Sequence, residues 1–317
     1  MRLAVLGLVL LIAGPAAAEP PVMAARGVTL APAEPGRVDL GALKFLGGLE
    51  LSSEDPRFGG WSAGAANADL SEVVLVGDQA SVLRLRLRRK AGGDGLEAEA
   101  VELAPLLGPD GVPLAGQMAV DAESLVALPE GAYAVGFEHD HRVWLYEEGL
   151  AGLPGADLAP PELAILPESS LNSGAEALAW HEGLWVLILE GEAGSESTRA
   201  FLGEEGAWRE LPYVLTDGFQ VTDAAFLEEG DLLVLERFYA PETGPKARLR
   251  RIAAADLTGV RALTGPLLAE FARPLTVDNY EVLLAGRDSE GPLLLLASDD
   301  NFNPRQRSLV MLFRLLE

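Results

Sequence analysis

The feature that most constrains this chain is a phrase that recurs along it: an acid, an apolar strand, a glycine turn, a second strand and a second acid. Asp121-Ala-Glu123-Ser-Leu-Val-Ala-Leu leads through Gly131 to Tyr133-Ala-Val-Gly-Phe-Glu138. Gly174-Ala-Glu176-Ala-Leu-Ala-Trp leads through Gly183 to Leu184 and on to Glu190. Val221-Thr-Asp223-Ala-Ala-Phe-Leu leads through Gly230 to Leu232-Leu-Val-Leu-Glu236, and Asp278-Asn-Tyr-Glu281 leads through Gly291 to Asp299-Asp300. A weaker copy runs from Glu50 to Asp78. From Glu123 onward the leading acids stand 53, 47 and 58 residues apart. Repeats of this length, built from short strands, belong to β-propellers, in which one four-stranded sheet forms each blade. The expected fold is therefore an all-β propeller. At roughly 50 residues per blade the chain predicts six blades, with five as the alternative because five phrases are present.

The repeat also sorts the acids. The two strands of each phrase are antiparallel neighbours, so the start of the first and the end of the second lie at one end of the sheet. Ring closure then gathers Glu123/Glu138, Glu176/Glu190, Asp223/Glu236, Glu281/Asp299 and, from the weaker copy, Glu50/Asp78 around one mouth of the channel. So many carboxylates repel one another unless they are protonated or share cations. Calcium, which takes 6–8 oxygen ligands in flexible geometry, suits such a rim. No contiguous EF-hand loop is present, so a calcium site would be assembled from separate blades. The alternative role for each acid is structural, as a turn residue or a hydrogen-bonded tie between blades.

Composition narrows the partners. The 317 residues carry 48 Asp+Glu against 24 Lys+Arg, a net charge of -24, which disfavours nucleic acid and anionic membranes. The absence of Cys removes disulfides, thiol catalysis and Cys-based metal sites together, and three His leave little for histidine-rich sites. Met1-Arg2, the apolar run Leu3 to Gly14 and Ala16-Ala-Ala18 read as a signal peptide over residues 1–18. Residues 19–44 are expected to join the propeller closure and residues 45–317 to form the propeller. Export to a bacterial periplasm or secretion follows, without an integral membrane segment, as a monomer.

Three other motifs have two readings each. Arg84, Arg86 and Arg88 alternate with Leu83, Leu85 and Leu87, the pattern of a half-exposed strand near a sheet edge rather than an anion site. Gly60-Trp-Ser62-Ala-Gly64 matches a nucleophile elbow, but the polar stretch before it and the strand after it oppose that role. His139 and His141 share one face and are either metal ligands or simply exposed.

Taken in order, Asp121-Ala-Glu-Ser-Leu125, Asn172-Ser-Gly-Ala-Glu-Ala-Leu-Ala179, Asp217 to Ala225, Gly230 to Arg237, Asp278-Asn-Tyr-Glu281 and Ser298 to Asn303 with Gln306-Arg307 resemble the bacterial family called "esterase-like activity of phytase". The resemblance spans about residue 45 to the C-terminus. It implies a periplasmic propeller and, by the family's name, hydrolysis of phosphoesters or carboxylic esters. It departs from the family at Val76-Gly-Asp-Gln79, where Ser-Asp-Arg-Gly is usual, and at Glu281-Val-Leu-Leu284, where a Gly is usual. The expected catalytic carboxylates are Glu176, Glu236 and Glu281. The expected metal ligands are Glu123, Glu138, Glu176, Glu190, Asp223, Glu236, Asp278, Glu281 and Asp299. Arg142, Asn172, Arg237, Asn301, Arg305 and Arg307 are the expected contacts to a small ester or phosphoester. A binding or scaffold propeller without catalysis, and a calcium-dependent lactonase-type hydrolase, are the alternatives.

Overall fold

A computed structural model describes residues 20–90, 95–116, 120–160, 163, 174–204 and 207–316. The expected signal peptide and Asn172 lie outside the described residues. No helix among the described residues is long and apolar enough to cross a membrane.

The strands assemble into five sheets, and each sheet is one blade. The first blade is β4 (Trp61–Ala66), β5 (Glu72–Gly77), β6 (Ser81–Arg89) and β7 (Leu96–Pro105). The second is β8 (Ala122–Ala127), β9 (Tyr133–Phe137) and β10 (Arg142–Tyr146). The third is β11 (Ala177–His181), β12 (Leu184–Ile188), β13 (Ser197–Glu204) and β14 (Ala207–Val214). The fourth is β15 (Gln220–Phe226), β16 (Leu232–Ala240), β17 (Gly244–Ile252) and β18 (Leu267–Phe271). The fifth combines both ends of the chain. β19 (Asn279–Asp288), β20 (Gly291–Asp299) and β21 (Ser308–Leu315) are followed outward by β3 (Leu43–Ser53) and β1 (Met23–Val28), and β2 (Asp39–Leu40) pairs with β3.

The propeller thus has five blades, not six. Division of the chain by a repeat length overcounts, because the N-terminal strands add to the fifth blade instead of forming their own. Glu50 illustrates this. It sits on β3 opposite Leu309 of β21 and pairs with Arg26 at 2.6 Å, far out on the fifth blade. The first blade instead starts at Trp61, eleven residues later.

Five apolar clusters hold the ring together, each between neighbouring blades. One joins Leu233, Leu235 and Leu249 of the fourth blade to Leu294, Leu296, Met311 and Phe313 of the fifth. Others join the fifth to the first, the third to the fourth, the first to the second, and the second to the third. Each inner sheet face is buried against the next blade, which is why runs such as Leu184 to Ile188 are apolar on both alternating sides. Only on the outer strands does the pattern open to solvent. On β6, Arg84 faces Glu102 and Arg88 faces Glu97 of β7, and the first pair closes to 3.2 Å, a solvated cross-strand ladder.

The innermost strands β4, β8, β11, β15 and β19 neighbour one another around the channel. Their backbones approach closely. A Cβ on Gly64 would lie 2.5 Å from Val282 Cγ1, so glycine is needed where β4 meets β19.

Candidate functional site at the acidic mouth of the channel

One local device shapes the mouth. β4, β8, β15 and β19 each carry an extra residue near their start: the pairing with the second strand slips between Trp61 and Ala63, Ala122 and Ser124, Val221 and Asp223, and Tyr280 and Val282. A β-bulge of this kind re-aims the side chain of the extra residue. The bulged residues are Ser62, Glu123, Thr222 and Glu281. In the third blade Glu176 holds the same place, directly before the Ala177–Ile188 pair. One ring position after another is therefore Ser62, Glu123, Glu176, Thr222 and Glu281.

A second ring comes from the ends of the second strands. By the same registers its members are Asp78, Glu138, Glu190, Arg237 and Asp299. Four of the five blades thus contribute an acid here, and the fourth contributes a guanidinium.

Burial makes these acids unusual. Glu138, Glu176, Glu190 and Glu281 are between 7% and 8% exposed and Asp299 only 3%. Desolvation, followed by the charges of Asp121, Glu281 and Asp300, pushes Asp78 up to about 7. Burial pushes Glu138 to about 7, although the Gly174 N–H donates to its Oε1 at 3.0 Å. Asp299 rises to about 8, through burial first and then the Glu281 carboxylate, against the N–H donated by Asn301 at 2.6 Å. Glu123 and Glu176 are lifted well above the carboxylate range by desolvation, then by the neighbouring acids: Glu281, Asp121 and Glu138 on Glu123, and Glu123, Glu190 and Glu138 on Glu176. Burial also raises Glu190 and Glu281, against the pull of Arg237.

Within this mouth one group has metal-ligand spacing. Asp121, Glu138 and His139 place one donor atom each within 4.8 Å of one another, and His139 Nε2 stands 2.8 Å from Asp121 Oδ2. Asp121 also hydrogen-bonds Glu123. The Oδ1 atom of Asp78 is buried with no hydrogen-bond partner among the described residues. An excess of buried oxygen donors, one of them orphaned, fits a divalent cation better than an apolar or anionic ligand.

Several sequence-predicted residues lie elsewhere. Asp223 follows the bulge instead of occupying it. Its carboxylate accepts the N–H of Leu283 at 2.7 Å and of Ala224 at 2.7 Å, tying the fourth blade to the fifth. Glu236 pairs with Val221 one residue short of the ring and is fully buried. Its Oε1 accepts the Tyr213 hydroxyl at 2.8 Å across the seam to the third blade, and its Oε2 accepts Arg250 Nε at 3.1 Å and Arg248 Nε within the fourth. Asp278 accepts its own neighbour Asn279 N–H and Arg307 Nε, at 3.1 and 3.2 Å, and stays within the fifth blade.

The arginines divide in the same way. Arg142 packs in the corner formed by Phe137 and Trp144, 3.9 and 4.2 Å from their ring centroids, and donates to Asp140 O. Arg307 is held by Asp278 and Val277 O. Arg305 and Asn301 are exposed on the turn after β20. Arg237 alone enters the ring. Its Nη1 donates to Glu281 Oε1 at 2.8 Å and Asn279 Oδ1 at 3.1 Å, and its Nη2 to Glu190 Oε1 at 2.9 Å.

Ser62 is 3% exposed and donates to Gly60 O at 3.3 Å. It begins a strand that is followed by another strand, so the elbow architecture is absent around it. The opposite end of the channel holds a cavity of about 680 Å³ lined by Ala65, Ala66, Ala179, Ala225, Trp180 and Phe226, among others. It lies past the bulges and away from the acids of the mouth.

Sequence reasoning passed over Asp121 as a ligand and over the ring positions of Ser62 and Thr222. The signal for Asp121 was its place two residues before Glu123, which antiparallel pairing sets opposite Glu138. The bulges have no such signature.

The sequence matches the Phytase-like family, described as esterase-like activity of phytase, over residues 56–302. The chain belongs to that family. The match on this phytase-like chain runs from just before the first blade to the turn after β20 and takes in every ring residue. No curated protein matches the sequence. Among solved structures, the WD40 repeats of RRP9 overlay with a TM-score of 0.44 at 11% identity, covering 88% of this chain and 100% of that one. U3-55K gives 0.43 at 10% identity, covering 87% and 100%. Saccharomyces cerevisiae Sqt1 gives 0.36 at 15% identity, covering 87% and 68%.

Proposed function

We propose that this phytase-like propeller is an exported, divalent-cation-dependent hydrolase of phosphoesters or carboxylic esters, with its centre at the acidic mouth. The observation that carries this reading is the convergence of acids from four blades on one ring: Glu138, Glu190 and Asp299 are buried, and the fourth, Asp78, has a buried oxygen without a hydrogen-bond partner among the described residues. Asp78, Asp121, Glu123, Glu138 and His139 are the residues that would hold the cation, and calcium is the ion that their predominance of oxygen donors favours. When bound, a divalent ion neutralises substrate oxygens and lowers the pKa of a coordinated water.

The chain's own residues supply the remaining parts. Glu176 and Glu281, desolvated and raised above the ordinary carboxylate range, are suited to hold or pass a proton. Arg305, exposed beside the mouth, is placed to meet an anionic group entering from solvent. Export is part of the proposal: cleavage after Ala18 would leave Glu19 as the first residue, which N-terminal sequencing of the exported protein checks.

The test is hydrolysis of a generic phosphomonoester, phytate, an aryl acetate and a lactone, in chelator and in millimolar calcium, with Glu176→Gln as control. Calcium-dependent turnover that is lost in the variant is the expected result. Turnover of none of the four at any calcium concentration would leave a binding propeller.

A further inference from the structure

We propose that Arg237 is the mouth's built-in cation: its guanidinium fills, on the side of the third, fourth and fifth blades, the place that an exogenous divalent ion fills on the side of the first and second. This rests on the reading of the mouth as a cation site, and it predicts where within the ring that ion does and does not sit.

Position is the first argument. Arg237 pairs with Gln220 as Asp299 pairs with Asn279, so it stands where the other four blades present Asp78, Glu138, Glu190 and Asp299. The fourth blade has no acid in its other ring place either, because the bulged residue there is Thr222, whose hydroxyl donates to Tyr280 O. One blade in five has replaced both carboxylates, one of them with a positive charge.

The contacts are the second argument. The planar fork reaches two carboxylates on blades that flank its own, Glu190 at 2.9 Å on the third and Glu281 at 2.8 Å on the fifth, with Asn279 Oδ1 as a third acceptor. A coordinated metal would bridge the same oxygens. The guanidinium stays charged despite its burial because Glu281, Glu190 and Glu176 surround it. Arginine is suited to this, since its charge is delocalised, weakly hydrated and permanent.

The third argument is the contrast with the other side of the ring. Asp78, Asp121, Glu123 and Glu138 have no lysine or arginine within ion-pairing distance among the described residues, and His139 is their one basic neighbour. There the buried Asp78 oxygen is left without a partner. Arg237 supplies a guanidinium to Glu190 and Glu281, and no lysine or arginine among the described residues does the same for Asp78, Asp121, Glu123 and Glu138.

Calcium binding by equilibrium dialysis, together with melting in chelator and in millimolar calcium, tests the proposal. Arg237→Gln is expected to bind one calcium more per chain than the wild type and to gain more melting temperature from calcium. Arg237→Lys, which keeps the charge, is expected to gain neither. In the wild type, Glu190→Gln should leave calcium affinity within about twofold, whereas Asp121→Asn should lower it about tenfold or more. Equal stoichiometry in wild type and Arg237→Gln, or equal losses in the Glu190 and Asp121 variants, would overturn the role of Arg237 and leave the hydrolase reading standing. A wild type that binds no calcium beside an Arg237→Gln that binds one would do the reverse. No binding by either, or an Arg237→Gln chain that fails to fold even in calcium, would overturn the proposal, since calcium then does not take the guanidinium's place.

Discussion

Glu176 leads one copy of the repeated sequence phrase and Glu236 ends the next, yet the fold gives them opposite surroundings, and substitution by glutamine separates the two. Glu236 has no exposed surface and accepts three hydrogen bonds, from Tyr213, Arg248 and Arg250. Arg248 is itself 2% exposed. Glutamine keeps the shape but withdraws the charge that faces two guanidinium groups at Oε2, and with its oxygen there it turns its amide toward the Tyr213 hydroxyl. Removing one partner of a buried ion pair costs about 3–5 kcal/mol. Arg248 keeps Asp217 and Thr216, and Arg250 keeps Gly265 O, so the lower end of that range applies. For a domain of this size the loss corresponds to roughly 5 °C of melting temperature. Glu176→Gln, by contrast, removes a carboxylate that desolvation and three neighbouring acids already disfavour as an anion. Its melting temperature in chelator at pH 7.5 should stay level or rise, while its gain from calcium stays near that of the wild type, because Glu176 lies on the side that Arg237 compensates. Differential scanning fluorimetry of both variants, each in chelator and in calcium, gives the four numbers needed. If Glu236→Gln melts with the wild type and loses its calcium response, Glu236 belongs to the mouth and the register argument is wrong.

Two further predictions follow from the same geometry. In chelator, stability should fall as pH rises from about 5 to 8 and level off above: Asp78 and Glu138 titrate at about 7 and Asp299 at about 8 in the folded chain, so up to those values the native state keeps protons that the unfolded chain has already lost near pH 4. Each retained proton contributes a slope of about -1.4 kcal/mol per pH unit across that window, and saturating calcium should flatten it; melting temperatures that are level or rising over this range in chelator would contradict the burial of these acids. At the seam of the first and fifth blades, Gly64→Ala forces a Cβ against Val282 Cγ1 and should cost about 1–3 kcal/mol in chemical denaturation. Val282→Ala in the same chain should restore part of the loss, and an additive double mutant would show that the contact is not the cause.

The propeller and its acidic mouth are legible in the sequence because both depend on pattern at the scale of a hairpin. The trailing acid of the phrase reaches the mouth in four blades, at Asp78, Glu138, Glu190 and Asp299, since nothing interrupts those second strands. Blade number is less legible, because it depends on which blade the first fifty residues join, and β3 gives no local sign that it pairs with β21 at the other end of the chain. The bulges are not legible at all. A period of two assigns Glu123 and Leu125 to one face, and only the slip between Ala122 and Ser124 re-aims Glu123. His139 was visible as a candidate ligand, but its pairing with Asp121 depends on the turn between β9 and β10.

The fourth blade shows what one residue of displacement accomplishes. In its hairpin the leading acid falls one place after the bulge and the trailing acid one place before the strand end. Strand pairing is unaffected, since Val221 still faces Glu236. The functional consequence is large, because the two carboxylates are delivered to opposite neighbours. Asp223 turns to the Leu283 N–H of the fifth blade, and Glu236 turns to Tyr213 of the third. Both acids leave the mouth and become ties across the two seams of their own blade, while the vacated places go to Thr222 and Arg237. The same displacement therefore strengthens the ring closure and subtracts negative charge where repulsion among Glu176, Glu190 and Glu281 would otherwise be greatest. A chain that closes its blades without a disulfide gains both effects from a hairpin that differs from its neighbours by a shift of one residue at each end.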